Sequence, residues 1–451
     1  MSDHVLNRGL DIPIKGRATG DAVQLEIPNT AAYAPTELRG VVPRMAVREG
    51  DAVKSGSVLF YNKAYPAMVF RSPLAGTLTE IRRGKRRVIT DVVVEGGGEG
   101  VESFRAYSAS ELATLSRPDA VEAILATGLW AHLRTRPLDK VPHPEEEPQS
   151  IFIGAMDTGP LQLGADALVA DGDGDALQAA VNALSRLTEG KIFLCERSGA
   201  SHGALAAVSG VERHSFRGPH PAGDPAVQIN LVDPPRGTAQ VWYLRAWEAV
   251  LIGKALLTGT FPVERTYAAV GAGVASPRIV KTILGAPMSH IVGAANEGPQ
   301  RWIRGSVLSG EAVDASRWAS FSARAVHVLP DTVPRSILGW ALPAVGSWSF
   351  HKAFLSGFTK ASRDYDLRPG LFGGERAMVP VGFYGKVVAT PDILVDFLFK
   401  AIISGDLEES IKLGLLDLSQ EEAALCTFIC PSKIEFDVIL REGLDLYEAE
   451  A

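Results

Sequence analysis

Two cysteines near the C-terminus, Cys426 and Cys430, have the clearest potential for chemistry, since they lie four apart and are followed directly by a proline. This spacing matches the last two ligands of the C-x2-C-x2-C-x3-C-P run, in which thiolates hold an iron–sulfur cluster. The two upstream ligand positions are Gln420 and Ala423, and Cys195 is the only other cysteine. Three thiols are too few, so we expect Cys426 and Cys430 to be buried as small hydrophobic residues of a helix.

A histidine in a proline-braced loop is a second candidate. His220 lies in GPHPAGD (218–224). No acid, second histidine or further cysteine lies at a spacing typical of a metal site or a catalytic triad. A single histidine of this kind is commonly structural, so we predict neither catalytic nor metal-binding residues in the chain.

The stretch GAGVAS (271–276) is the best match to a dinucleotide-binding fingerprint. Its third glycine is replaced by Ser276, and it does not open a βαβ unit of about thirty residues. No G-x-x-x-x-G-K-[ST] phosphate-binding loop occurs. We therefore interpret GAGVAS as a turn at the end of a strand, and we predict no cofactor-binding residues.

Basic residues cluster in RRGKRR (82–87), which places five positive charges across a predicted hairpin tip. The segment is either a solvated turn or a docking site for an acidic partner or anionic headgroups. Docking of that kind should weaken as salt is added. No basic stripe with interleaved aromatic residues occurs, so we exclude nucleic acid as a partner.

Composition favours a globular, peripheral protein. Apolar residues make up 46% of the chain and charged residues 22%. The uncharged run 336–350 is shorter than the roughly twenty apolar residues of a membrane span. Residues 1–30 lack the basic and apolar regions of a secretory signal, and the scarcity of cysteine favours a reducing, cytoplasmic compartment.

The order of the predicted elements indicates several domains, because 451 residues exceed what one simple core needs. Short β-branched runs separated by turns fill the first hundred residues. Strands alternating with helices then predict a βαβ layer, in which Asp175 is the expected N-cap of one helix. Short strands return at 262–330, and helices follow Pro391, where Ser419 and Glu422 have the spacing of a capping box.

The first β region resembles the biotinyl/lipoyl-type barrel-sandwich domain. In such domains an attachment lysine lies at a hairpin tip, and Lys63 would occupy that place. Asn62 replaces the usual neighbour of that lysine, and Pro66 interrupts the following strand. We therefore favour a scaffold role over modification of Lys63.

Taken together, several stretches resemble the NqrA family, a component of the sodium-translocating NADH:quinone reductase of bacteria. They are RGLDIPIKG (8–16), VREGDAVKSGSVLF (47–60), IFIGAMDTGPL (151–161), FRGPHPAGDP (216–225), GSVLSG (305–310), RAMVPVG (376–382) and SGDLEESIKLGLLDLSQEEAALCTFICPSKIEF (404–436). Gly159 departs from the asparagine usual in the family.

The resemblance implies a multidomain α/β and β fold. Its expected parts are a biotinyl/lipoyl-like β domain at 1–100, a Rossmann-like α/β domain at 101–260 and a β-grasp (SLBB-like) domain at 261–335. An irregular connecting segment at 336–390 and a C-terminal helical domain at 391–451, a ferredoxin-like remnant, complete it.

The resemblance also implies a place in a complex. The chain would be a peripheral subunit on the cytoplasmic face of the cell membrane, in a six-subunit translocase that couples NADH oxidation and ubiquinone reduction to sodium export. FMN, FAD, riboflavin and the iron–sulfur centre would belong to other subunits, and this chain would carry no redox centre. Ubiquinone is a further candidate partner, and membrane contact would run through partner subunits.

Within that complex, the chain would support or contact the quinone-reducing site. The candidate contact residues are Asp157, His220, Trp340 and Trp348. The alternatives are a purely structural assembly subunit and a stand-alone oxidoreductase subunit that binds flavin or NADH.

Overall fold

The structure is a computed structural model that describes residues 2–200, 203–332, 348–352, 354–358, 364–367 and 382–450. Trp340 and most of the predicted connecting segment 336–390 lie outside these residues. In the described part of the chain, no helix is both long and apolar enough to cross a membrane.

Short strands fill the first hundred residues, as predicted. They are β1 (Ser2–Val5), β2 (Val23–Gln24), β3 (Thr30–Tyr33), β4 (Pro43–Met45), β5 (Ala52–Val53), β6 (Val58–Asn62), β7 (Val69–Arg71), β8 (Gly76–Arg83) and β9 (Ile89–Gly96). One sheet has the order β3-β9-β8-β5 and a second the order β4-β6-β7. Between them the stacked rings of Phe60 and Phe70 lie 4.5 Å apart. Lys63 is exposed in the turn after β6, and RRGKRR forms the tip between β8 and β9.

An α/β layer follows. Its elements are α1 (Ala109–Thr114), α2 (Arg117–Thr127), β10 (Arg134–Arg136), β11 (Ser150–Ala155), α3 (Ala165–Leu168), α4 (Gly174–Leu184), β12 (Ile192–Arg197), α5 (Gly203–Ala207), β13 (Glu212–Arg217), α6 (Pro225–Val232), β14 (Val241–Arg245) and α7 (Ala246–Thr258). The sheet order is β1-β13-β12-β11-β14-β10. Every neighbouring pair is parallel except β10 with β14. Strand β11 is buried along its whole length, as expected of a parallel strand covered on both faces.

The predicted start of α4 is wrong by two residues. Asp173, not Asp175, occupies the N-cap position. The Asp173 carboxylate accepts a hydrogen bond from Ala170 N at 2.9 Å and pairs with Lys254 at 2.7 Å. These contacts hold Asp173 at the end of a preceding 3-10 turn, so the helix begins at Gly174.

The fourth sheet is mixed. Its region contains β15 (Glu264–Val270), β16 (Arg278–Ile283), α8 (Met288–Val292), β17 (Gln300–Arg304), β18 (Glu311–Val313) and β19 (Ala325–Pro330), and the sheet order is β18-β17-β19-β15-β16-β2. The segment GAGVAS joins the antiparallel strands β15 and β16. No helix follows it directly, so the interpretation as a turn at a strand end is confirmed.

The last part of the chain is helical. It contains α9 (Val395–Ser404), α10 (Leu407–Lys412), α11 (Gln420–Ile429) and α12 (Phe436–Glu450). The predicted capping box of Ser419 and Glu422 is present at the start of α11. Cys426 and Cys430 are fully buried free thiols, as predicted, but only Cys426 lies within the helix, since Cys430 is the C-cap residue that follows α11. Burial raises the pKa of the Cys426 thiol well above its ordinary value, and the Tyr384 hydroxyl donates to Cys430 Sγ at 3.2 Å.

Candidate functional site

A cavity of about 910 Å³ lies where the α/β sheet, the fourth sheet and the C-terminal helices meet. It lies at the carboxyl ends of β11 and β14, where open α/β sheets commonly bind ligands. The charged residues of its wall are Glu37, Arg39, Arg134, Arg136, Asp139, Asp157, Asp224, Arg245, Glu248, Arg304, Glu311, Arg324, Glu421, Asp437 and Arg441.

Asp157 and Arg245 meet at one side of this cavity because their strands are parallel neighbours, with Gly154 of β11 opposite Arg245. Arg245 Nη1 donates to the carbonyl oxygens of Met156 at 3.0 Å and Gly223 at 2.8 Å, and Nη2 lies 3.8 Å from Asp157 Oδ2. Burial alone would lower the pKa of Arg245, but Asp157 and the other nearby carboxylates raise it above its ordinary value. The guanidinium therefore stays charged at the cavity.

His220 approaches the same side from the loop after β13. Its Nδ1 lies 3.2 Å from Thr158 Oγ1, and its Nε2 lies 3.6 Å from Glu421 Oε1, an ion-pair distance that is too long for a hydrogen bond. The imidazole is buried. Burial lowers the pKa of His220, but Glu421 and the nearby aspartates raise it more, so the net shift is upward.

The close approach of two loops holds His220 in place. Gly223 N donates to Thr158 Oγ1 at 2.8 Å. A Cβ atom at position 223 would lie 2.7 Å from Thr158 N, so only glycine permits this approach. This hydrogen bond joins the loop after β11 to the loop after β13 next to His220.

Glu421 lies in the first turn of α11 and lines the cavity. Its two oxygens accept hydrogen bonds from Ser306 Oγ at 2.6 Å and Ser309 Oγ at 2.5 Å. Burial raises the pKa of Glu421, but His220 and the two serines lower it more, so its net shift is downward. His220 and Glu421 thus form a buried pair in which each stabilises the charge of the other.

A second polar group lines the same cavity. His132 Nδ1 lies 2.9 Å from Glu248 Oε1, and both side chains are buried. Burial lowers the pKa of His132 to about 4, more than Glu248 raises it, so the imidazole is neutral at pH 7. Beside this pair, Arg304 Nε lies 3.1 Å from Glu37 Oε1, and Arg304 Nη2 lies 2.5 Å from Glu311 Oε2.

Only some of the predicted contact residues lie at this cavity. Asp157 and His220 lie in the wall of one cavity. Trp348 is not in that wall; its ring packs against Phe428, 5.2 Å away.

Sequence reasoning missed Arg245 and Glu421. The capping-box pattern places Glu421 in the first turn of a helix, so its position within an element was accessible, whereas no strand was predicted to end at Arg245. No local pattern indicates which distant loops they face. In the described part of the chain, no group of three or more histidine, cysteine or acidic residues could hold a metal ion.

Comparison with known proteins gives three family matches. The NqrA N-terminal barrel-sandwich hybrid domain matches residues 5–96, the NqrA second alpha/beta domain matches residues 115–261, and the NQRA C-terminal domain, an SLBB model, matches residues 268–315. These matches agree with the predicted barrel-sandwich, α/β and SLBB-like parts of the fold.

Curated relatives match along the whole chain. The NqrA protein of the Na(+)-translocating NADH-quinone reductase of Pasteurella multocida (strain Pm70) is 38% identical over 449 residues, 99% of each chain. Its counterpart in Klebsiella pneumoniae (strain 342) is also 38% identical, again over 99% of each chain. That of Histophilus somni (strain 2336) is 37% identical over 452 residues.

A solved structure shares a more distant likeness. A chain from an NAD+-reducing [NiFe]-hydrogenase in the H2-reduced state aligns with a TM-score of 0.38 at 14% identity. The alignment covers 77% of this chain and 65% of that chain. A likeness of this degree carries no argument about function.

Proposed function

The chain belongs to the NqrA family of the Na(+)-translocating NADH-quinone reductases, and from this premise we propose that it is a peripheral subunit on the cytoplasmic face of such a complex. The complex would couple NADH oxidation and ubiquinone reduction to sodium export. Alignments at 37% and 38% identity that cover 99% of each relative support the proposal, because they include every domain through which those subunits could contact their partners.

Within the complex, the proposed role of this chain is to contact or support the quinone-reducing site without a redox centre of its own. The observation that carries this role is the buried pair of His220 and Glu421 in the wall of a cavity that also holds Asp157. The carbonyl oxygens of a quinone accept hydrogen bonds. His220 Nε2 has no hydrogen-bond partner among the described residues, so it is the donor we assign to such a carbonyl.

Two finer parts of the fold belong to the same proposal. The strand order β13-β12-β11-β14 supports a Rossmann-like assignment for 101–260. The four helices around two buried cysteines support a ferredoxin-like remnant at 391–451. The predicted domain boundaries remain predictions.

Photo-crosslinking of the intact complex with a photoreactive quinone analogue tests the proposed role. We expect an adduct on the peptides 151–161 or 216–225, removed by excess ubiquinone analogue. His220→Gln should reduce the labelling at least fivefold, whereas His143→Gln, a partly exposed histidine outside the cavity wall, should leave it unchanged.

Other results would support the alternatives. The absence of a specific adduct on this chain would favour a purely structural assembly subunit. Stoichiometric flavin in the purified chain, or NADH protection of residues 151–235 in hydrogen exchange, would favour an oxidoreductase that binds its own cofactor.

A further inference from the structure

Arg324 is a buried cation without a direct counter-ion. Its side chain lies in the cavity wall, and the residue is 4% exposed. The guanidinium stacks on the indole of Trp247 at 4.0 Å, and Nη2 donates to the carbonyl oxygen of Phe321 at 2.7 Å. Its Nε and Nη1 have no hydrogen-bond partner among the described residues, and no carboxylate of these residues lies within ion-pair distance.

The neighbours of Arg324 do not supply the missing charge. The ring of Tyr267 lies 5.1 Å from the guanidinium and carries no carboxylate, and Glu248 and Glu37 act on it only at a distance. The Glu248 oxygens are bonded to His132 Nδ1 and to Arg245 N. Arg265, a second buried cation, adds repulsion, and burial together with Arg324 lowers the pKa of Arg265 to about 9. A buried charge is costly unless it is paired, and water in the cavity would hydrate the guanidinium without neutralising it.

Arg304 supplies a second group of hydrogen-bond donors, and it is linked to Arg324 through Glu37 and Phe321. Arg304 Nη1 is also buried without a hydrogen-bond partner in the described part of the chain. Arg304 pairs with Glu37, whose Oε2 accepts from Phe321 N at 3.1 Å, while Arg324 donates to the carbonyl of that same Phe321. Arg324 therefore contacts Phe321 directly, and Arg304 is linked to the same residue through Glu37.

A buried acceptor completes the set. The ring of His132 stacks on Phe321 at 4.3 Å, and His132, like Arg304 and Arg324, lines the cavity. Its Nδ1 is engaged by Glu248, and its Nε2 has no partner among the described residues. Since this imidazole is neutral at pH 7 with Nδ1–H donating to Glu248, Nε2 offers a lone pair.

We infer that Arg304, Arg324 and His132 form a binding site for a small anion that also carries a hydroxyl group. The arginines would donate to its charged oxygens, and its O–H would donate to His132 Nε2. Hydrogen phosphate groups and hydroxycarboxylates have this chemistry, whereas sulfate and simple dicarboxylates lack the O–H. This site uses residues of the cavity other than His220, to which the proposed quinone contact is assigned.

Isothermal titration of the purified full-length chain at pH 7 and constant ionic strength tests the inference. We expect saturable binding of inorganic phosphate at least tenfold tighter than that of sulfate, and of malate at least tenfold tighter than that of succinate. Comparison of phosphate with malate distinguishes the two sources of the shared chemistry. Absence of saturable binding of all four anions would overturn the site, and equal affinities within both pairs would overturn the role of His132.

A variant that places a carboxylate beside Arg324 gives a second test of the site. Ala323 lies in the cavity wall beside Arg324 and is partly exposed, so Ala323→Glu should reduce phosphate and malate affinity at least tenfold. Ala207→Glu adds the same charge at an exposed position outside the cavity wall and should leave affinity unchanged. Equal affinity in the two variants would overturn the proposal. If Ala323→Glu fails to fold, the anion titrations of the unaltered chain still decide it.

Discussion

Ser419 Oγ donates a hydrogen bond of 2.6 Å to Asp224 Oδ2, so the residue that caps α11 is bonded to the residue that caps α6. Asp224 uses its other oxygen to accept from Ala226 N at 3.0 Å, and Ser419 Oγ also accepts from Glu422 N at 3.1 Å. The starts of two helices that lie 195 residues apart in sequence are thus held by one shared contact.

Loss of this contact should lower the free energy of unfolding. In Ser419→Ala, both the cap of α11 and the donor to Asp224 disappear, so we expect the free energy of unfolding to fall by about 2–3 kcal/mol. Chemical denaturation measures the change. The exposed cap of α1 is a matched control, since Ser108→Ala removes a capping box without a buried partner and should cost about 1 kcal/mol. Equal losses in the two variants would contradict the coupling.

His220 should make stability depend on pH in one direction. Its folded pKa is raised, so the folded state binds the proton more tightly than the unfolded state does. The resulting stability is fully present below the unfolded pKa and is lost as pH rises through the folded pKa. We expect the free energy of unfolding to fall between pH 6 and pH 8, and this fall to be smaller in His220→Gln. An identical pH profile in His143→Gln and His220→Gln would speak against the pair with Glu421.

His132 should act in the opposite direction. Its folded pKa of about 4 lies below the ordinary value of 6.5, so the unfolded state binds the proton more tightly. The contribution is fully present above pH 6.5 and is lost as pH falls toward 4, with a limit of about 3 kcal/mol from 1.36 kcal/mol per pKa unit. Unfolding at pH 7 and pH 4.5 checks this, with His132→Gln as the reference in which the imidazole is removed and the carboxylates remain. A pH dependence as steep in His132→Gln as in the unaltered chain would refute the assignment.

The two C-terminal cysteines should contribute to the stability of the fold and not to the visible absorption of the complex. Cys426→Ser places a hydroxyl where a fully buried thiol lies, so we expect a loss of about 1–3 kcal/mol in the free energy of unfolding. Cys426→Ala, which introduces no polar group, is the control. The visible absorption spectrum of the intact complex should be the same in both variants, and a changed spectrum would reopen the cluster hypothesis.

The basic hairpin tip offers a separate test of docking. Lys85, Arg86 and Arg87 are exposed at the tip between β8 and β9. If they dock an acidic partner, their joint replacement by glutamine should weaken co-purification with the membrane subunits at low salt and leave little further salt dependence. Replacement of the exposed Arg44, Arg48 and Lys54 removes the same charge elsewhere. Retained association in the hairpin variant would mean that the tip is a solvated turn.

The local parts of the fold could be predicted because local chemistry determines them. The capping box of Ser419 and Glu422, the turn at GAGVAS and the burial of Cys426 follow from spacing and from counting ligands. The start of α4 could not be placed correctly, since the contact that fixes Asp173 comes from Lys254, 81 positions later in the numbering.

The candidate site was only partly accessible for the same reason. Asp157 and His220 could be proposed from their stretches. Arg324, Glu37 and Arg304 come together only in the folded chain, since Glu37 precedes Arg304 by 267 positions in the numbering. A sequence does not show which buried nitrogen atoms, such as Arg324 Nε, lack a hydrogen-bond partner. That property depends on which atoms the fold brings next to them.

The pairing of β1 has a consequence for the order of events during synthesis. Ser2–Val5 forms the edge of the α/β sheet by pairing with β13, and His4 contacts His214, 210 positions further along the chain. At about 5–20 residues per second, the ribosome needs roughly 10–40 s to make the partner of the first strand. Through that interval the barrel-sandwich strands can assemble, while the first residues wait outside any sheet. Residues 2–5 are therefore among the late segments to reach their final place, because their partner strand is made well after them.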